Sequence, residues 1–283
     1  MKTIICATDY SKNAVSALKY AHKISSKIGA DLLVIHIYEL PLILGMEFDI
    51  FYDDLEKKTF QKHNKKLKNF CKKHLGKELA EMKVITYAFK GLSVSQGIIS
   101  KASEYHAFMI VIGMKKESAM KEFFMGDISM DLIEKAPCSI LAIPTNASTE
   151  KLKTIVYATD FEQEDIGAIY KVSQIANKYN ANIKVVHISS SKEKDGNMKM
   201  DWFEEMVKQK VTYKKIKYEV LISDEIFNMI RSYLFSNNAD LVAMLERKKS
   251  GFIRKLFHRD LVKVMESFGD IPLLSFNEAN YQP

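Results

Sequence analysis

The sequence predicts an α/β fold of two repeated, doubly wound domains, each built on a parallel sheet with helices on both faces. Two observations predict it. Short apolar runs alternate with amphipathic helical stripes along the chain, and the second half of the chain repeats the pattern of the first. A chain of 283 residues with 47% apolar residues is large enough to build two separate cores.

The repeat can be read directly from the residues. The stretch "KTIICATDYS" from Lys2 matches "KTIVYATDFE" from Lys153 at an offset of 151, and the match continues without a gap as far as His36 and His187. Near the carboxyl ends of the two copies the offset falls to 132, so the second copy is shorter in its middle. The polar stretch "PTNASTEK", residues 144–151, is the predicted linker. We therefore predict one domain over residues 1–145 and a second over residues 151–283.

The first strand and helix show the pattern within one copy. The run "TIICA" is short and continuously apolar, which is typical of a strand buried on both faces of a parallel sheet. Ser11 is placed to cap the following helix, and Gly29 is placed to end it. Apolar residues spaced by three and four form the inner stripe of this helix: Ala14, Ala17, Leu18, Ala21, Ile24 and Ile28.

The remaining elements follow in alternation. A second strand, "LLVIHI", precedes a long lysine-rich helix whose predicted inner positions are Leu55, Leu67, Phe70 and Leu75. Then come the strand "VITYAF", the helix "VSQGIISKASEY" and the strands "FMIVIG" and "SILAIP". Parallel sheets bind ligands at the carboxyl ends of their strands, and both Asp9 and Gly113 fall at such ends.

Composition narrows the class of protein. The apolar runs are shorter than the roughly 20 residues that cross a bilayer, so we expect no membrane partner. The amino terminus lacks the regions of a signal peptide and the three cysteines are far apart, which predicts a cytoplasmic protein. The net charge of the chain is +7. The lysines are spread over several predicted helix faces, which indicates that they are solvent-exposed surface residues rather than a nucleic-acid-binding site. The basic segment 247–259 is interpreted in the same way.

Four motifs together resemble the universal stress protein family: "ATDYS", "HIYE", "IG-x2-K-x9-GD" and "APCSILAIP". Both copies follow the family's order of elements, so the chain is similar to a tandem member. The resemblance implies the strand order 3-2-1-4-5 in each domain and a role in stress response. It also implies that the two domains pair through their last strands as an intramolecular pseudo-dimer.

Nucleotide-binding members of this family hold an adenine nucleotide at the carboxyl edge, with a glycine-rich phosphate loop after the fourth strand. The resemblance implies that ATP or another adenine nucleotide is the candidate cofactor of the first domain. The matching positions here are Ala7, Thr8, Asp9, Ile37, Ile112, Gly113, Lys116, Gly126, Asp127, Ile128 and Ser129.

Two of these positions depart from the family pattern. Lys116 replaces the second glycine of the loop, and Asp127 replaces the serine or threonine that donates to phosphate. A carboxylate at a helix amino terminus accepts the N–H groups that phosphate would use, and it repels an anion. Lys115 and Lys116 are either a solvated pair or an anion contact. We expect these changes to have closed the phosphate site.

The second copy departs further from the pattern. Leu245, Lys248 and His258 stand at the three glycine positions, and Arg259 stands at the serine or threonine position. The spacing of the loop survives without its glycines, so we expect no phosphate cradle in the second domain.

The functional hypothesis is a stress-response binding and regulatory protein with a degenerate nucleotide site; the alternative is an ATP-binding switch with slow or no hydrolysis. No catalytic set and no metal-ligand spacing appears in the sequence. Asp9 and Asp160 are either turn residues or ligand contacts, while His36 and His187 are predicted to be hydrogen-bonded core histidines. The apolar segment 39–51 is expected to cover the nucleotide cleft, to pack against a second chain or to start the next helix. Packing is favoured because an exposed apolar patch usually marks an interface, and a homodimer and an unknown protein partner are left open.

Overall fold

The computed structural model describes residues 2–39, 49–116, 123–124, 127–148, 151–193, 195–246 and 269–281. Most of the segment 39–51 and the whole segment 247–259 lie outside these ranges, so what the sequence indicates for them stays a prediction. No helix in the described ranges is both long enough and apolar enough to cross a membrane.

The first half of the chain alternates strands and helices as predicted. Its elements are β1 (Thr3–Ala7), α1 (Lys12–Ile28), β2 (Asp31–Tyr38), α2 (Asp49–Leu75), β3 (Val84–Lys90), α3 (Val94–Glu104), β4 (Met109–Gly113), β5 (Lys115–Lys116), β6 (Phe123–Phe124), α4 (Asp127–Lys135) and β7 (Ser139–Ile143). The two-residue strands β5 and β6 form a small antiparallel pair inside the predicted phosphate loop. This pair has no counterpart in the sequence prediction.

The second half repeats this order. Its elements are β8 (Thr154–Ala158), α5 (Gln163–Tyr179), β9 (Asn182–Ser189), α6 (Gly196–Lys210), β10 (Ile216–Ile222), α7 (Ile226–Ser236), β11 (Leu241–Glu246) and β12 (Leu273–Asn277). Short 3-10 turns follow α2 and β12.

Ten strands form one continuous sheet in the order β10-β9-β8-β11-β12-β7-β4-β1-β2-β3. Within each half the neighbouring strands are parallel, and their order across the sheet is 3-2-1-4-5 when the five sheet strands of that half are numbered along the chain. The two halves meet where β12 runs antiparallel to β7, with Leu274 opposite Leu141. The predicted fold class is confirmed.

Helices cover both faces of the sheet, and one apolar core lies under each layer. The core beneath α1, α2, α5 and α6 draws residues from both halves, as does the core beneath α3, α4 and α7. Leu67, Phe70 and Leu75 of α2 are buried as predicted.

Helix ends follow the capping chemistry that the sequence indicates. The Ser11 hydroxyl accepts a hydrogen bond from the Ala14 N–H at 3.3 Å, which starts α1. Gly29 ends the helix in the left-handed conformation, with φ at 71°. At the equivalent place in the second half Asn180 ends α5 with φ at 55°.

Candidate functional site

A cleft of about 450 Å³ opens at the carboxyl edge of the first half, where β1, β2 and β4 end. This is the edge where doubly wound sheets bind ligands, and the volume is within the range of small-molecule sites. The residues that line the cleft are Ala7, Thr8, Asp9, Ser11, Ala14, His36, Ile37, Val94, Ile98, Ile112, Gly113, Asp127, Ile128 and Ser129.

Nine of the eleven residues predicted for the site line this cleft. The exceptions are Lys116, whose backbone lies in β5 but whose side chain is outside the described part, and Gly126, which is outside the described residues. Their contribution to the cleft stays a prediction, as does ligand binding by the other nine.

Five lining residues were not predicted as part of the site: Ser11, Ala14, His36, Val94 and Ile98. Val94 and Ile98 lie one turn apart on α3, a spacing that points two side chains the same way. That spacing was visible in the sequence. The sequence did not show which surface these two side chains face, because α3 is brought next to β2 only by the crossover connections of the folded chain.

The turn after β1 is built by local hydrogen bonds. The Thr8 hydroxyl accepts from the Tyr10 N–H at 3.0 Å, and the Asp9 carboxylate accepts from the Ser11 N–H at 2.9 Å. Tyr10 has φ at 67°, a left-handed conformation that tightens the turn. Asp9 therefore has a turn role, and its exposed carboxylate also faces the cleft.

Gly113 is required by packing between β4 and α1. A Cβ at this position would lie 2.5 Å from the carbonyl carbon and oxygen of Asn13, which is closer than atoms can approach. The glycine thus lets the strand end approach the first turn of α1. This explains its presence without a phosphate.

The charged side chains in the described lining of the cleft are carboxylates. Asp127 is the first residue of α4, where its carboxylate complements the partial positive charge of the helix terminus. Asp9 adds a second carboxylate. Burial lowers the pKa of His36 and outweighs the opposing effects of its bond to Thr8 and of Asp9. His36 is therefore neutral at pH 7, and the described lining holds no cation to attract phosphate.

His36 joins the cleft to helix α2 through stacked rings. Its Nδ1–H donates to the Thr8 carbonyl at 2.8 Å, as expected for a hydrogen-bonded core histidine. Its ring centroid lies 4.4 Å from that of Tyr10 and 5.3 Å from that of His63 on α2. The Lys66 ammonium lies 4.0 Å from the Tyr10 ring centroid. These contacts fix the orientation of the imidazole at the cleft wall.

The second half repeats the turn but fills its interior with a carboxylate. Asp165, the counterpart of Ala14, is fully buried. It accepts hydrogen bonds from the Tyr157 hydroxyl at 2.7 Å and the Thr159 hydroxyl at 2.8 Å. It also accepts from the N–H groups of Asp160 at 3.3 Å and Glu162 at 3.2 Å. An internal carboxylate thus satisfies the hydrogen-bond donors at the turn between β8 and α5.

Other residues close the same edge of the second half. Leu245, the counterpart of Gly113, is a fully buried side chain at the end of β11. His187 donates through Nδ1 to the Thr159 carbonyl at 2.8 Å, and its Nε2 lies 3.5 Å from the Glu193 carboxylate. Glu193 in turn accepts from Lys199 at 3.0 Å. Lys248, His258 and Arg259 lie outside the described residues.

Metal and thiol chemistry find little support in the part of the chain that the structure describes. It contains no group of three or more His, Cys, Asp or Glu side chains suited to a metal ion. Cys6, Cys71 and Cys138 are free and buried, and burial raises the pKa of each thiol. These cysteines are structural thiols rather than activated nucleophiles.

Sequence comparisons match the first half of the chain to known proteins. The profile described as the Universal stress protein family matches residues 1–144. A curated relative from Thermus aquaticus, "Universal stress protein in QAH/OAS sulfhydrylase 3'region", is 28% identical over 143 residues. That match covers 50% of this chain and 98% of the relative.

Structural comparisons extend the likeness of fold over both halves. A universal stress protein from Archaeoglobus fulgidus DSM 4304 has a TM-score of 0.71 and 14% identity, with 98% of each chain covered. The solved structure of a putative universal stress protein from Pseudomonas aeruginosa UCBPP-PA14 has a TM-score of 0.60 at 14% identity. That match covers 98% of this chain and 93% of the other.

Proposed function

The chain belongs to the universal stress protein family, and from this premise we propose that it is a stress-response binding and regulatory protein with a degenerate nucleotide site. The observation that carries the proposal is the position of Asp127. Its carboxylate stands at the amino terminus of α4, on the wall of a cleft that is otherwise open enough for a small molecule.

The cleft suits the adenosine part of a nucleotide. Its lining is largely aliphatic, and the apolar side chains Ile37, Ile98 and Ile112 offer surface to a planar base. The exposed carboxylate of Asp9 can accept hydrogen bonds from ribose hydroxyls or from an exocyclic amine. Nothing in this part of the lining discriminates against a neutral ligand.

The phosphate part of the ligand does not fit the described residues. A phosphate at the start of α4 would meet the Asp127 carboxylate, and at 4 Å two unit charges repel by about 1 kcal/mol in water and about 4 kcal/mol near a protein surface. A triphosphate would meet this repulsion, and none of the described lining residues is a lysine or arginine that could offset it. The cleft therefore favours an uncharged nucleoside over ATP.

The two halves are proposed to act together as a pseudo-dimer in the cytoplasm. Asn277 of β12 donates to the Ile133 carbonyl at 3.3 Å and to the Glu134 carbonyl, and Asn280 donates to the Ala136 carbonyl at 2.9 Å. Residues of the second half thus satisfy carbonyl groups at the carboxyl end of α4, whose amino end forms the cleft wall. This arrangement would let a ligand in the first half be sensed by the second half and by a protein partner.

Thermal unfolding with added ligands tests the proposed specificity. At 1 mM ligand, we expect adenosine to raise the melting temperature by about 2 °C or more and ATP–Mg to raise it by less than about 1 °C. The physical reason is that only ATP brings negative charge to Asp127. A larger shift with ATP–Mg than with adenosine would contradict the degenerate site and favour the ATP-binding switch.

Replacing Asp127 by serine should restore part of the phosphate site. We expect Asp127→Ser to increase ATP affinity by about tenfold, because it removes a repulsion of the order of 1 kcal/mol and adds a hydroxyl donor. Isothermal titration with ATP–Mg and with adenosine measures the effect. The affinity for adenosine should change less than threefold.

Asp201→Ser is the matched control for this experiment. Asp201 is exposed on α6 in the second half, so its replacement makes the same change of net charge far from the cleft. An equal gain in ATP affinity from both variants would mean that net charge, and not the carboxylate at α4, governs binding.

A further inference from the structure

The net positive charge of the chain can be traced to one stretch. Residues 57–77 contain nine lysines and no acidic residue. Subtracting these nine charges from the formal net charge of +7 leaves −2 for the rest of the chain. Outside residues 57–77 the chain is therefore slightly acidic, although the overall net charge suggests a uniformly basic molecule.

The structure collects most of these lysines on the outer side of one helix. The inner side of α2 is buried against the sheet through Leu67, Phe70, Cys71 and Leu75. Five exposed lysines follow one another along the opposite side at helical spacing, and we call them the α2 lysine stripe: Lys58, Lys62, Lys65, Lys72 and Lys73. With a rise of 1.5 Å per residue the stripe is about 22 Å long.

The stripe is largely unneutralised. Lys58 pairs with Asp54 at 2.6 Å, but within the described ranges the other four lysines of the stripe form no ion pair. The local field acts on a neighbour as well. Burial and the charges of Lys73 and Lys19 lower the pKa of His74 at the end of the same helix.

The equivalent helix of the second half shows the usual alternative. On α6, Lys199 pairs with Glu193 at 3.0 Å and with Asp195 at 3.1 Å. Lys208 pairs with Glu204 at 3.0 Å and Glu205 at 2.9 Å. Two helices at the same place in the repeat thus differ in charge: acids balance the lysines of α6, whereas the acids of α2 end at Glu56 and leave the lysines beyond it unbalanced. Exposure to solvent does not by itself require an excess of lysines, because α6 is also exposed to solvent and its lysines are balanced by acidic residues.

We propose that the α2 lysine stripe binds the phosphate backbone of duplex nucleic acid. A straight row of ammonium groups matches a straight polyanion, since duplex DNA carries one negative charge per about 1.7 Å of its axis. Lysine is a flexible point charge that contacts phosphate without reading bases, so the binding is independent of sequence.

Two other anionic partners fit the stripe less well. Helices that lie on membranes insert an apolar face among the lipids, whereas the apolar face of α2 is buried in the protein core. Single-stranded nucleic acids stack their bases on exposed aromatic rings, whereas Phe60, the exposed aromatic ring among the described side chains of α2, lies on the far side of the helix from Lys58 and Lys62. The charge complementarity favours a duplex.

Fluorescence anisotropy with a labelled 20-base-pair duplex tests the proposal on the full chain. The test variant combines Lys62→Gln, Lys65→Gln and Lys72→Gln. The control combines Lys210→Gln, Lys214→Gln and Lys217→Gln, which removes the same charge from exposed positions of the second half. Circular dichroism melts verify that both variants fold.

We expect the test variant to bind duplex DNA at least tenfold more weakly than the unmodified protein at 50 mM salt, and the control to lose less than threefold. The slope of log affinity against log salt should fall by about 2.7, because each phosphate contact contributes about 0.9. An RNA duplex of the same sequence shows which duplex is preferred, and stripe-dependent binding of either one supports the proposal.

Three results would overturn it: no duplex binding at 50 mM salt, equal losses in the two variants, or binding to anionic phospholipid vesicles but not to a duplex. The proposal is independent of the cleft. Asp127→Ser should leave duplex affinity unchanged within threefold, so failure of the nucleotide proposal and failure of this one are distinguishable.

Discussion

Replacing Asp165 by alanine should lower the free energy of unfolding by about 3 kcal/mol, in the range expected when a buried hydrogen-bonded charge is removed. The side chain is 0% exposed and accepts hydrogen bonds from two hydroxyls and two backbone N–H groups. Alanine would leave these donors buried without their acceptor. Urea unfolding followed by circular dichroism measures the change.

The first half of the chain indicates how this cost can be relieved. There the counterpart of Asp165 is Ala14, and the counterpart of Tyr157 is Cys6, which needs no acceptor. The double variant Tyr157→Phe with Asp165→Ala should therefore be less destabilised than the sum of the two single variants. Asp201→Ala, at an exposed site, is the control and should stay within about 0.5 kcal/mol of the unmodified protein. A loss below about 1 kcal/mol for Asp165→Ala would show that the network does not stabilise the fold.

Replacing Glu246 by glutamine should stabilise the protein at neutral and alkaline pH. Glu246 is 6% exposed, and its Oε2 has no hydrogen-bond partner among the described residues. Burial, and to a smaller extent the nearby charge of Glu134 on α4, raises the pKa of Glu246 from 4.5 to about 8. The folded protein therefore holds a proton on this carboxyl that the unfolded chain releases.

The direction of the pH effect follows from that proton. Between pH 4.5 and about 8 the folded state binds one proton more than the unfolded state, so the free energy of unfolding falls as pH rises. The slope from this group is about 1.4 kcal/mol per pH unit, which amounts to about 3 kcal/mol at pH 7. Glu246→Gln removes this dependence, because the amide is neutral at every pH in the window.

Urea unfolding at pH 5 and pH 8 measures this effect. We expect the two proteins to be of similar stability at pH 5, and the Glu246→Gln variant to be more stable by about 2–4 kcal/mol at pH 8. Glu81→Gln, at an exposed position, is the matched control and should follow the pH dependence of the unmodified protein. Parallel pH profiles for Glu246→Gln and the unmodified protein would refute the assignment.

The fold could be predicted from sequence because its signals are local and occur twice. Runs such as "TIICA" and the Ser11 and Gly29 caps specify single elements, and the repeat fixes how the elements are grouped. The antiparallel junction of β7 and β12 could be expected only from the family resemblance. The small β5–β6 pair carries no strand pattern of its own and was not foreseen.

The sequence predicted those residues of the candidate site that lie at strand ends. It did not predict those whose role depends on contacts formed only in the folded chain. Asp9 and Gly113 follow apolar strands, so topology places them at one edge. The sequence did not indicate a role for Asp165, because an acidic residue in the first turn of a helix is ordinarily exposed to solvent. Its meaning depends on Tyr157 and Thr159, which only the folded chain brings to it.

The junction of β7 and β12 has a consequence for the stoichiometry of the molecule. Two separate subunits joined by such a pair would obey mass action, and dilution would part them. Here the halves share one polypeptide, so their local concentration is fixed by the linker. Every molecule therefore carries both the open cleft of the first half and the carboxylate-filled edge of the second, which lie at opposite edges of the sheet because β7 and β12 are antiparallel. The ratio of one open cleft to one carboxylate-filled edge is therefore the same at every protein concentration.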